Sequence, residues 1–150
     1  MTSELPPPRR VAPPSGMAPP SAAPSPVPGS DAVVDLVALA AAVCERYYAE
    51  FADEDAVYGD VGRLWCQHDL QHLLNWAALE VAGGGPLGPE VAWLARVLEA
   101  RRFPILRLAW SLDLGADVVL DELGEGAAPM AEALRGAARM IRVRGTFLED

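Results

Sequence analysis

One short segment holds most of the side chains in this chain that could bind a ligand, bind a metal or transfer a proton. The segment 64–76 contains both histidines, one of the two cysteines and two of the four tryptophans. In a helix, successive residues advance by about 100°, which places four aromatic side chains along one line and one carboxylate beside it. We call these five residues the ridge: Trp65, His68, Asp69, His72 and Trp76.

Three chemistries are compatible with the ridge. Indoles flanking imidazoles suit a small planar ligand or a tetrapyrrole such as haem, with His68 or His72 as the axial or hydrogen-bonding group. His68 and His72 are four residues apart, so both imidazoles can reach one transition-metal ion. Cys66 points about 160° away from His68 and is no natural third ligand. A polar network that merely fills a helical core would give the same pattern.

Catalysis has weaker support than binding. Ser111 is the only serine well inside the predicted helices, and no nucleophile-elbow motif surrounds it. Cys44 or Cys66 with His72 would form a thiolate pair, but both cysteines are predicted to be buried core residues. We therefore predict no catalytic residues and favour a non-enzymatic protein.

The helix that carries the ridge is expected to lie centrally, with neighbours on two sides. His72 and Asp69 are predicted to be more buried than His68. A buried carboxylate needs a partner, which for Asp69 would be His72 or an arginine such as Arg46 or Arg107. A narrow polar face of this helix, on the side nearer His68, is predicted to be formed by Gln67, Gln71, Asn75 and Ala78.

The remaining sequence predicts an all-α protein, a four- to five-helix bundle. Apolar residues recur at helical spacing, and Gly-Gly-Gly-Pro and Phe-Pro sequences separate the segments. Ser30 or Asp31 is expected to cap the first helix, and residues 53–60 form an acidic connection. No segment is a convincing strand. The predicted helices span residues 32–51, 61–82, 88–102, 104–123 and from about 129 onward.

The first thirty residues hold ten of the fourteen prolines. Proline lacks an N–H group and fixes φ, so we expect a disordered tail over residues 1–30 with neither helix nor sheet ladder. The single folded domain is predicted to span residues 31–147. Met17 offers an alternative start to Met1.

Composition excludes several functions. The net charge is −9, which disfavours binding to nucleic-acid phosphates and to anionic membranes. All twelve basic residues are arginine, so mechanisms that need a lysine are excluded. No apolar run is long enough for a signal peptide or a membrane span. Two cysteines without a disulfide framework suggest a reducing compartment, and the sequence predicts a cytoplasmic, high-GC bacterial protein.

A basic stripe near the C-terminus offers a second candidate surface. Arg135, Arg139 and Arg142 line up on the last predicted helix, and they would either pair with Asp113, Asp117 and Asp121 of the preceding helix or bind an acidic partner. The alternatives are thus a ligand-binding or regulatory module using the ridge, a protein-interaction scaffold using the tail and this stripe, and a haem- or metal-binding bundle. Self-association stays open.

Overall fold

The fold is an all-α bundle with a small sheet at its N-terminal side. The computed structural model describes residue 5 and residues 18–148, and the described part contains five α-helices and two strands. A single turn of 3₁₀ helix, Glu125–Ala127, precedes the last helix. The elements are β1 (Ala22–Pro24), β2 (Val33–Asp35), α1 (Leu36–Glu50), α2 (Asp53–Val81), α3 (Gly88–Ala100), α4 (Ile105–Leu123) and α5 (Ala128–Arg144).

Four helices surround the main core. α1 packs between α2 and α4, and α5 contacts both α4 and α2, so α2 and α4 lie at opposite corners. α3 packs against α5 and α4. The predicted helical bundle is confirmed, as is the prediction that α2 has neighbours on two sides. The largest fully buried side chains in this core include Leu36, Leu73, Leu74, Leu112, Met130, Leu134 and Ile141.

Residues 22–24 correct the prediction that the first thirty residues form no sheet ladder. β1 pairs with β2 in antiparallel register, with Ala23 opposite Val34, and each strand buries only its central residue. Pro24 is tolerated because it lies at the end of an edge strand, where its missing N–H costs no ladder bond. Residues 1–17 of the predicted tail, apart from residue 5, lie outside the described residues.

The first helix begins later than predicted. Val33 and Val34 are β-branched and adopt the extended conformation of β2, so α1 starts at Leu36. The N-cap is Asp35, whose Oδ1 accepts a hydrogen bond from the Ala38 N–H at 3.1 Å. The predicted cap at Ser30 or Asp31 is therefore wrong.

The helix that carries the ridge is longer than predicted. The predicted acidic connection is part of the helix, since α2 begins at Asp53. Its first turn contains three acids, and the helix dipole favours negative charge at that end. Gly59 interrupts it with φ 58° and ψ −144°, a conformation that suits glycine. Beyond Gly59 the helix runs without interruption to Val81, which confirms the predicted single helix over 61–82 to within one residue.

Candidate functional site

Three rings of the ridge form a continuous row on α2. The ring centroids of His68 and His72 lie 4.9 Å apart, and those of His72 and Trp76 lie 5.7 Å apart. His72 is buried, with 7% of its surface exposed, whereas Trp65 and Trp76 are half-buried. The row thus faces inward at its centre and reaches solvent at its ends.

Asp69 has a partner next to it in the sequence, His68. Its Oδ1 lies 3.3 Å from Nδ1 of His68, and the two side chains are 16% and 13% exposed, respectively. Burial raises the pKa of Asp69, while His68, His72 and Arg101 oppose that rise. The prediction that His72 is more buried than His68 is confirmed, whereas the side chain of Asp69 is no more buried than that of His68.

The two arginines predicted as partners of Asp69 are engaged elsewhere. Arg46 donates to Asp121 of α4 at 2.7 Å in an exposed ion pair. Arg107 donates to Asp53 and Glu54 at the start of α2. The sequence showed that Asp69 needs a partner but not which residue would provide it.

The predicted polar face of α2 is covered by the N-terminal segment. Gln71 is buried, and its Nε2 donates to the carbonyl oxygen of Pro20 at 3.0 Å. Nε2 of Gln67 lies 2.9 Å from Oε1 of Gln71 and 3.1 Å from the carbonyl oxygen of Val37. The Gln71 amide thus bonds to the N-terminal segment and the Gln67 amide to α1, so this side of α2 is an internal contact.

A buried ion-pair cluster, which sequence reasoning missed, joins the starts of α2 and α4 to the end of α1. The Tyr47 hydroxyl donates to Glu54, which also accepts a 2.9 Å hydrogen bond from Nη1 of Arg107. Arg107 grips Asp53 through both terminal nitrogens at 2.9 and 3.1 Å, and its guanidinium lies 4.4 Å from the ring centre of Phe51. Burial raises the pKa of Glu54.

The sequence around these residues gave little indication of the cluster. Glu54 lies between two other acids, which usually indicates a solvated run, yet only 4% of it is exposed. The available signal was aromatic, because Tyr47 and Phe51 lie four residues apart on α1 and lead directly into the acids. Each charged or hydroxyl side chain of the cluster is hydrogen-bonded to another one, so the cluster holds α1, α2 and α4 together.

The two cysteines face each other across the α1–α2 interface. Both are free thiols, and the Sγ atoms of Cys44 and Cys66 lie 3.0 Å apart. The contact with Cys44 and burial raise the pKa of the Cys66 thiol well above its usual value. Cys44 is buried as predicted, while Cys66 remains partly exposed.

The arginine stripe is largely occupied within the molecule. Arg135 donates to Asp117 at 2.9 Å, and Arg142 lies 2.7 Å from Asp113, so α5 is paired with the acidic side of α4. The interpretation of the stripe as an intramolecular pairing surface is thereby confirmed for these two arginines. Arg139 is exposed.

Comparison with known proteins assigns no family. No protein-family model, no curated protein and no solved structure matches the chain. Within residues 18–148, no three or more His, Cys, Asp or Glu side chains are grouped closely enough to hold a metal ion. None of the described helices is both long and apolar enough to cross a bilayer.

Proposed function

We propose that this chain is a small cytoplasmic, non-enzymatic bacterial binding module whose ridge binds a planar aromatic ligand. The observation that carries the proposal is the row of His68, His72 and Trp76 rings, spaced 4.9 and 5.7 Å apart and partly exposed at its ends. Such a row offers stacking surface and hydrogen-bonding nitrogens in one place.

The two alternatives have less support in the contacts. A scaffold that binds partners through the α5 arginines must first release Arg135 and Arg142 from their carboxylates. A metal bound by His68 and His72 would need further ligands from outside their immediate surroundings. A tetrapyrrole needs only one axial imidazole, so it remains a ligand class for the ridge.

The test uses two porphyrins that differ only in iron. The full chain is titrated with hemin and with metal-free protoporphyrin IX, and binding is followed by absorbance and by quenching of tryptophan fluorescence. Stacking predicts that both bind and that Trp76→Ala weakens both about tenfold. If His72 coordinates iron, His72→Ala removes the shift of the hemin Soret band and leaves protoporphyrin binding unchanged.

Trp93→Ala is the matched control. Trp93 is also a partly exposed indole, but it lies on α3 and is not part of the ridge. It should leave both titrations unchanged. If neither porphyrin binds, or if Trp93→Ala weakens binding as much as Trp76→Ala does, the ridge is not a planar-ligand site.

A further inference from the structure

A pair of thiols links the two helices that form one side of the bundle. Cys44 lies on α1 and Cys66 on α2, and their Sγ atoms are 3.0 Å apart. A disulfide has an S–S distance of about 2.05 Å, so the two sulfurs need to approach by only about 1 Å. No large movement of either helix is required.

We propose that Cys44 and Cys66 form a reversible intramolecular disulfide that locks α1 to α2. This site is distinct from the ridge, since Cys66 faces α1 rather than the imidazole row. In a reducing compartment such a bond is transient, which makes it a redox-responsive site rather than a permanent staple.

The oxidant is a low-molecular-weight disulfide such as oxidised glutathione. Cys66, the more exposed thiol, loses its proton and attacks one sulfur of the oxidant, whose S–S bond breaks to release one glutathione thiol. Cys44 then loses its proton and attacks Cys66 in the mixed disulfide, forming the Cys44–Cys66 bond and releasing the second glutathione. Two protein thiols are oxidised, and one oxidant disulfide is reduced to two thiols.

The surroundings determine how the bond is best measured. Cys44 is only 8% exposed, and the acids Glu54 and Asp69 add to the effects that keep the Cys66 thiol protonated. The reactive thiolate is therefore scarce near neutral pH, and exchange with the folded protein is slow. Equilibrium populations reached from both directions are more informative than rates.

The experiment equilibrates the full chain in mixtures of reduced and oxidised glutathione, both from the folded dithiol and by refolding from urea. Samples are quenched in acid, alkylated under denaturing conditions and weighed by mass spectrometry. We expect a monomer that has lost two hydrogen atoms and accepts no alkylating groups. Its melting temperature should exceed that of the dithiol by roughly 10 °C, because the bond closes the loop between the helices.

Cys44→Ala and Cys66→Ala serve as controls and should show no rise in melting temperature with oxidised glutathione. The proposal is overturned if the wild-type chain remains a dithiol in fully oxidised glutathione, stops at a mixed disulfide, or forms only cross-links between chains. It is also overturned if the bond forms but lowers the melting temperature. These readouts do not involve porphyrin binding, so they are independent of the ridge.

Discussion

Arg107 neutralises two carboxylates and is itself almost buried, so it should be the charged residue whose loss costs most. Its side chain is 10% exposed and that of Glu54 is 5% exposed. Removing one partner of a buried pair leaves the other charge uncompensated. We expect Arg107→Ala to lower the free energy of unfolding by about 3–5 kcal/mol, as measured by urea denaturation.

Arg46→Ala is the matched control, because Arg46 forms an exposed pair with Asp121 and should cost at most about 1 kcal/mol. Adding Glu54→Gln to Arg107→Ala removes the stranded charge and should recover part of the loss. Equal costs for the two arginine variants would show that the cluster contributes no more than a surface pair.

Asp69 should make the free energy of unfolding depend on pH, in a direction set by its raised pKa. Because burial raises its pKa above the value in the unfolded chain, the folded state holds the proton more tightly. The stability gained is fully present below about pH 4 and is lost as the pH rises through the raised pKa. Relative to Asp69→Asn, the wild-type free energy of unfolding should therefore fall from about pH 4 towards neutral pH.

Asp55→Asn provides the control of opposite sign. Its hydrogen bond to Arg63 lowers the pKa of Asp55, so its contribution is present above about pH 4 and is lost as the pH falls. Urea midpoints of the three proteins across the pH range separate the two effects. A wild-type curve parallel to that of Asp69→Asn would mean that Asp69 titrates alike in both states.

At the scale of elements, the N-cap of α1 tests whether this helix begins at residue 32, as the sequence predicted, or at Leu36, as observed. Asp35 satisfies the Ala38 N–H, whereas Asp31 lies in the exposed segment before β2. Asp35→Ala should lower stability by about 1 kcal/mol, while Asp31→Ala should have almost no effect. Thermal unfolding of both variants measures the difference, and the reverse order would restore the earlier start of the helix.

Local sequence predicted the helices well because their periodicity and breakers are local. Gly-Gly-Gly-Pro at 83–86 and Pro104 mark where α2 ends and α4 begins. The strand at 22–24 was missed because its paired residues lie nine to thirteen positions further along the chain, and its stability comes from packing against α2 rather than from strand propensity.

Partners across helices were the least predictable part of the candidate site. Periodicity placed His72 inward and Cys66 away from the histidines, and both features are observed. It could not show that Arg107 reaches Glu54 rather than Asp69, because that choice depends on the order of helices around the core. Nor could it show that Cys44 and Cys66 meet.

At the scale of the whole molecule, the N-terminal segment completes one side of the bundle. Ala23 and Pro26 are buried, and Pro20 accepts the hydrogen bond of the buried Gln71. Val27 continues to the 3₁₀ turn, where its Cγ1 lies 3.0 Å from the position that a Cβ atom on Gly126 would take. One crossing segment thus connects α2 with the turn that precedes α5.

Two truncations test where the folded domain begins. Starting the chain at residue 18 removes only the first half of the tail that composition predicts to be disordered and leaves β1 in place, so it should change the melting temperature by no more than about 1 °C. Starting at residue 31 removes β1, uncovers Ala23's site on the core and leaves the Gln71 amide without Pro20. That loss should lower the melting temperature by roughly 5–10 °C, since a buried polar group loses its partner and apolar surface is exposed.

Gln71→Ala in both truncations separates the lost hydrogen bond from the exposed apolar surface. It should lower the melting temperature of the longer chain and leave that of the shorter chain almost unchanged. Equal melting temperatures for the two truncations would place the start of the domain at residue 31, as composition alone predicts, and would reduce the crossing segment to a surface strand.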